Sequence, residues 1–209
     1  MFEITKIEVQ KKNKNRVSLF LDNEFAFGID QDVLLTFGLY KGSKLTQEQI
    51  AAIQYADNKK SAKDRALRFL SFRDRSEKEI RDKLAALGYD QEVISWVVSE
   101  LRRLKFIDDK RFAISFAKNK MLSRPCGEYV LRHELSLKGI GEEEINLAID
   151  EVFRPKDQVT VARELAEKKF LLVRDKSDKL KLKKRISDLL QRRGFNWDII
   201  REVLETMEF

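Results

Sequence analysis

The sequence has one cysteine, Cys126, and one histidine, His133. A single cysteine cannot close an internal disulfide, which excludes a disulfide-stapled secreted scaffold. One His with one Cys cannot build a Cys/His zinc site. No hydrophobic run approaches the ~20 residues of a membrane-spanning helix, and the start lacks the layout of a signal peptide. There are only two prolines, Pro125 and Pro155, and eight glycines. Prolines and glycines this sparse can punctuate a helical chain without breaking it up. The reading is a soluble, cytoplasmic, helix-rich protein with no cofactor. With 43% apolar residues it can bury a core, so wholesale disorder is not expected.

Charge is plentiful and unevenly placed. The total of +7 divides into +1 over residues 1–60, +5 over 61–122, −3 over 123–158 and +4 over 159–209. Two basic blocks flank an acidic one. An evenly basic nucleic-acid module does not show this pattern; a segmented surface facing a polyanion or a charged protein does.

Residues 2–10 and 16–21 alternate or are β-branched, with the polar turn KKNKN between them. A second turn at Asp22-Asn23-Glu24 precedes Phe25-Ala26-Phe27, so an antiparallel meander of two or three strands is expected. Asp30 caps a short helix over 31–37 that stops at Gly38. KGSKL at 41–45 reads as a basic loop. Thr46 with Gln49 forms a capping box and opens a helix through Ile50 and Ile53.

The rest of the chain repeats. When Gly88, Gly139 and Gly194 are superposed, apolar residues recur at fixed offsets. Eight before stand Ile80, Leu131 and Ile186; four before stand Leu84, Leu135 and Leu190. Six after stand Ile94, Ile145 and Ile200; ten after stand Val98, Ile149 and Leu204. Thirteen after stand Leu101, Val152 and Met207. These spacings mark one face of each of two helices. The glycine suits the left-handed position after the first helix. Asp90, Gly141 and Asn196, two residues later, suit the cap of the second. A further helix precedes each pair, aligned on Ala66, Ala113 and Ala162. The expectation is a mainly α protein: an N-terminal β-meander and helix region over 1–60, then three-helix repeats over 61–105, 106–153 and 154–209, forming an elongated array. Ser76 with Glu79 is a capping box, Gly127 follows a proline break, and Arg154-Pro155 separates the last two repeats. The 14 phenylalanines are expected mostly at core positions.

No catalytic constellation is readable. His133 reads as an ordinary helix residue, and Cys126 as a small residue at a helix start. Asp108-Asp109 and Glu142-Glu143-Glu144 stand where helices begin and read as caps, with no metal site implied. Gly139-Ile-Gly141 is no dinucleotide fingerprint, and no phosphate-binding loop motif occurs. The chain is therefore read as a non-enzyme. A DNA-reading role for the last helix of each repeat is disfavoured in the second, where 142–152 hold five acids and no base. Phosphate or partner contact is expected from Arg65, Arg68, Arg73 and Arg75, from Arg102, Arg103 and Lys105, and from Lys110, Arg111, Lys118 and Lys120. A second group comprises Lys168, Lys169, Lys181, Lys183, Lys184, Arg185, Arg192 and Arg193.

Residues 66–122 also carry a recognisable signature: an Ala-Leu helix, Arg73, Ser76 with Glu79, Leu84, then Asp109, Arg111, Phe112 and Ala113. Arg124-Pro-Cys-Gly127, Leu131, Glu134-Leu135 and Lys138-Gly139-Ile140 follow. These resemble the signatures of the RecX family of bacterial recombination regulators, strongly over 61–153 and more loosely in the third repeat. The strand region resembles an extension seen in some longer members. The resemblance implies a modulator of the RecA recombinase, usually a negative one. Such a protein would lie in the groove of the RecA–DNA filament and limit strand exchange, ATP hydrolysis or filament growth; some members also contact DNA. It implies a role in DNA repair, homologous recombination and the SOS response; a monomer is expected. The alternative is a helical-repeat protein that binds DNA without RecA.

Overall fold

The computed structural model describes residues 1–154, 157–173 and 178–208. Among these are ten helices and one four-stranded antiparallel sheet. Strands β1 (Phe2–Val9), β2 (Arg16–Leu21) and β3 (Glu24–Asp30) form the expected meander. The β2–β3 connection is a two-residue turn with Asp22 at φ 50° and Asn23 at φ 72°. Both central residues are left-handed, as the twist of a tight hairpin requires. β2 alternates cleanly, burying Val17, Leu19 and Leu21.

The segment read as a basic loop contains a short strand, β4 (Lys44–Leu45), which pairs with Phe2 and Glu3 of β1. The sheet order is therefore β3-β2-β1-β4. Two residues of strand are too few for a period-two signal, so the sequence could not show them. Helix α1 (Gln31–Thr36) is capped by Asp30, whose carboxylate accepts from Asp32 N–H. The Thr46–Gln49 capping box is complete, and it opens α2 (Gln47–Leu70). This single helix of 24 residues runs through position 60 without a break. Its first half packs Ile50 and Ile53 under the sheet.

The remaining helices are α3 (Glu77–Ala86), α4 (Gln91–Arg103), α5 (Asp109–Ser123), α6 (Glu128–Leu137), α7 (Glu142–Phe153), α8 (Gln158–Leu172), α9 (Lys179–Arg192) and α10 (Trp197–Thr206). Three glycines close the turns α3–α4, α6–α7 and α9–α10: Gly88 at φ 84°, Gly139 at φ 77° and Gly194 at φ 83°. Each turn has the same two backbone bonds. The glycine N–H reaches the third residue back, and the next N–H reaches the fifth back: Leu84, Leu135 or Leu190. This is the Schellman closure, which needs a left-handed residue. Asp90, Gly141 and Asn196 are the following N-caps, and only Asn196 adds a side-chain bond, to Ile199 N–H.

The repeat-face residues are buried as expected, except that Leu204 and Met207 are only partly covered. Where the leading helix of each repeat meets the last, it buries alanines: Ala62 and Ala66 on α2, Ala113 and Ala117 on α5, Ala162 and Ala166 on α8. Small side chains let the two helix axes approach closely. The phenylalanines differ from expectation. Among the described residues only Phe112 and Phe195 are buried, while Phe25, Phe72 and Phe106 are largely exposed. Phe27, Phe116, Phe153 and Phe170 are half-buried against the cores, which isoleucine, leucine, valine and alanine mainly fill. Pro155, read as the break before the third repeat, lies outside the described residues; α7 ends at Phe153.

The chain forms two compact units. One comprises Met1–Asp74 with Ile80–Phe106, the other Arg75–Glu79 with Ile107–Phe209. Within the second unit two core clusters, one around Leu131 and Ile145 and one around Ile186 and Ile200, both pack against Met121 and Phe153.

Candidate partner and polyanion interface

The sequence-derived basic residues fall into two kinds. Some serve the fold. Arg103 makes a two-pronged pair with Glu100, Nε to Oε1 at 3.0 Å and Nη2 to Oε2 at 2.9 Å. That hydrogen bond holds the Glu100 carboxyl below the usual carboxylate range. Lys118 pairs with Glu151 at 2.8 Å, joining α5 to α7, and lowers the Glu151 pKa through the same kind of bond. Lys120 pairs with Glu134 of α6 at 2.6 Å. Arg193 is half-buried and donates Nη1–H to the Pro125 carbonyl at 3.1 Å. Arg73 donates to the Asp74 carbonyl, Lys181 pairs with Asp178, and Arg75 is half-buried.

Others stand clear. Arg65, Arg68, Lys105, Lys110, Arg111, Lys168, Lys184, Arg185 and Arg192 are exposed, and among the described residues their charged ends carry no ion pair. Arg102 and Lys183 are exposed as well, and Lys169 is half-buried. The structure groups the set by element. Lys110, Arg111 and Lys118 line an open depression along α5 with Asp108, Ile114, Ser115 and Asn119. Lys181, Lys184 and Arg185 share the outer face of α9, opposite the buried stripe Leu182, Ile186 and Leu190. Arg65 and Arg68 line a cleft in the first unit with residues of the β1–β2 loop.

Lys105 is exposed through an unusual backbone. It sits at φ 59° in the closing turn of α4, where Phe106 N–H bonds Leu101 O at 2.9 Å. This is the turn that glycine makes in the three repeats, here made by a lysine. Its neighbours Leu104 and Phe106 are also exposed, so the α4 terminus presents cations and apolar side chains together.

The acidic residues act as caps and counter-ions. Asp108 accepts from Arg111 N–H at 2.9 Å and caps α5, as expected. Asp109 caps a different helix: its Oδ1 accepts from Glu77 N–H, at the start of α3, at 2.8 Å. Sequence reasoning assigned it to its own helix, because a contact across 32 residues leaves no local signal. Glu142 and Glu128 both pair with Arg132, at 2.7 and 2.6 Å, which partly neutralises the acidic start of α7. Arg132 was missed, since its role depends on two elements meeting. So was Lys59, whose ammonium lies 4.3 Å from the Tyr55 ring centre and 5.0 Å from that of Trp96, where α2 packs on α4. His133 is exposed on α6. Cys126 is buried, and burial pushes its thiol pKa up. Among the described residues no group of three or more His, Cys, Asp or Glu could hold a metal ion, and no helix is long and apolar enough to cross a membrane.

Four family models match this chain in order. Residues 2–46 match the regulatory protein RecX N-terminal domain. Residues 62–101, 108–149 and 156–204 match the first, second and third RecX three-helix domains. Curated relatives named regulatory protein RecX include one from Bacillus velezensis, 40% identical over 99% of this chain and 78% of that protein. Another, from Clostridium acetobutylicum, is 35% identical over 97% of this chain and 94% of that protein. Among solved structures, a crystal structure of regulatory protein RecX superposes with a TM-score of 0.76 at 32% identity, covering 98% of this chain and all of that one. RecX from Lactobacillus salivarius gives 0.63 at 30% identity over 72% of this chain and 96% of that one. Sequence motif, repeat geometry and relatives agree, and the chain belongs to the RecX family of regulatory proteins.

Proposed function

We propose that this protein is a cytoplasmic, monomeric, non-enzymatic inhibitor of the RecA recombinase. It binds the RecA–DNA filament and limits ATP hydrolysis, strand exchange and filament extension, and so acts in homologous recombination, DNA repair and the SOS response. The observation that carries this reading is family membership over nearly the whole chain, joined to exposed cations on several separate elements. Patches on α2, α4, α5 and α9 suit a partner with many anionic points more than one small ligand.

The cations at the end of α4 are the contact tested most easily. Charge reversal of Arg102 and Lys105 together is expected to raise the concentration needed for half-inhibition of the RecA ATPase on single-stranded DNA. An unchanged dose response would remove that patch from the interface. A second reading, DNA binding without RecA, draws on the cationic outer face of α9. Equal affinity for bare and RecA-coated DNA, with a steep salt dependence, would favour it.

A further inference from the structure

The N-terminal sheet packs on the first half of α2. We propose that it forms, with α2, a binding cleft for a phosphodiester backbone. The cleft has a volume of about 390 Å³ and is lined by Asn13, Asn15, Arg16, Asp30, Ser61, Asp64, Arg65 and Arg68.

Its floor is tied together by hydrogen bonds, and its acids are already engaged. Arg16 donates to Asp57 at 2.8 and 3.3 Å and to the Gly28 carbonyl at 2.7 Å. Asp57 also accepts from Asp30 N–H, Asp30 caps α1, and Asp64 pairs with Lys60 at 3.3 Å. Each carboxylate near the cleft therefore has a donor of its own. The two remaining cations, Arg65 and Arg68, are exposed, and among the described residues their guanidinium groups have no partner. They stand three residues apart, on one face of α2. Two planar forks side by side match phosphate oxygens, which accept bidentate bonds.

The opposite wall is the KKNKN loop. Arg16 N–H bonds Asn13 O, Asn15 N–H bonds the Asn13 side chain, and Gln31 bonds both Asn15 O and Lys14 O. These bonds fix the loop before any ligand arrives, which lowers the cost of binding. Lys14 stands between the two asparagines, exposed and without an ion pair among the described residues, while Lys11 and Lys12 border a separate depression with Glu8, Gln10 and Ser18. Arg65 and Arg68 on one wall and Lys14 on the loop of the other are more positive charge than a single carboxylate could use. Successive phosphates of a phosphodiester chain fit cations on two walls, and the NH2 groups of Asn13 and Asn15 can donate to their oxygens.

The proposal rests on exposed cations being phosphate contacts and does not require RecA. Its test uses the full chain and fluorescently labelled oligothymidylate, with a labelled duplex as the second arm, titrated by anisotropy over a range of salt. The double variant Arg65→Ala/Arg68→Ala and the variant Lys14→Glu are compared with wild type. Arg201→Ala, on α10, is the control. Each cleft variant is expected to weaken binding by about tenfold or more and to flatten the plot of log affinity against log salt by roughly 1 to 2. The arm that flattens identifies strand or duplex as the ligand. Unchanged affinity and slope in both arms, with melting temperature preserved, would overturn the proposal. So would loss of RecA inhibition by the cleft variants at unchanged DNA affinity, since that result assigns the cleft to an acidic protein surface. Failure of wild-type protein to inhibit RecA, with the oligonucleotide result intact, would refute only the filament reading.

Discussion

The Ser76 hydroxyl donates to the Lys138 carbonyl at 2.7 Å, and Ser76 is the one fully buried polar residue among those described. Lys138 immediately precedes the turn glycine Gly139. At the corresponding repeat position, Gly127 N–H donates to the carbonyl of Arg193, the residue before Gly194, at 2.9 Å. The same joint is thus built twice, once by a side chain and once by backbone. The first is reinforced by Lys138 Nζ on Glu79 at 2.7 Å and Lys78 Nζ on the Leu137 carbonyl at 3.0 Å. The second is reinforced by Arg193 on the Pro125 carbonyl.

Ser76→Ala removes a helix cap, since Ser76 Oγ accepts from Glu79 N–H, and leaves the Lys138 carbonyl unpaired. A lost cap and a buried orphan acceptor together are expected to cost about 2 to 3 kcal/mol. Urea denaturation checks this. A loss of a few tenths would mean that water replaces the hydroxyl.

The three turn glycines share a left-handed backbone but differ in what a side chain would meet. A Cβ at Gly88 finds open space; at Gly139 it lies 2.6 Å from Lys78 Cβ; at Gly194 it lies 2.8 Å from the Val130 backbone nitrogen. Substitution by alanine is expected to cost about 1 kcal/mol at Gly88, from conformation alone. The cost should be greater at Gly139, where a side chain must move, and greatest at Gly194, where backbone blocks the space. Gly139→Val should cost at least as much as Gly139→Ala. Chemical denaturation of the series gives the order directly, and equal costs at all three sites would contradict it.

Lys105 occupies the same kind of turn without being glycine. Lys105→Gly is expected to raise stability by roughly 1 kcal/mol by relieving the left-handed strain. If Lys105 contacts the partner, the same change should weaken inhibition of RecA. Thermal melting and the ATPase assay on one variant separate the two effects.

Much of this was legible from spacing. The glycine superposition located the turns because a Schellman closure demands a special residue, and the caps at Asp30, Thr46 and Ser76 followed from local chemistry. What stayed hidden depended on elements meeting in space. Asp109 looks like a cap for α5 and caps α3. Lys118, Lys120 and Arg193 look like free surface cations and serve as struts. The cleft at Arg65 and Arg68 exists only because a loop of the sheet lies beside α2, and KKNKN alone reads as a turn. The phenylalanines were expected mostly in the core, but Phe72 and Phe106 lie in the turns after α2 and α4 and are exposed, which hydrophobicity alone does not show.

The central claim is that the protein acts on RecA bound to DNA. The measurement that tests it most directly is RecA ATP hydrolysis on single-stranded DNA, titrated with this protein. Dose-dependent inhibition is expected well below the concentration that saturates bare DNA. No effect at molar excess over RecA would contradict the account.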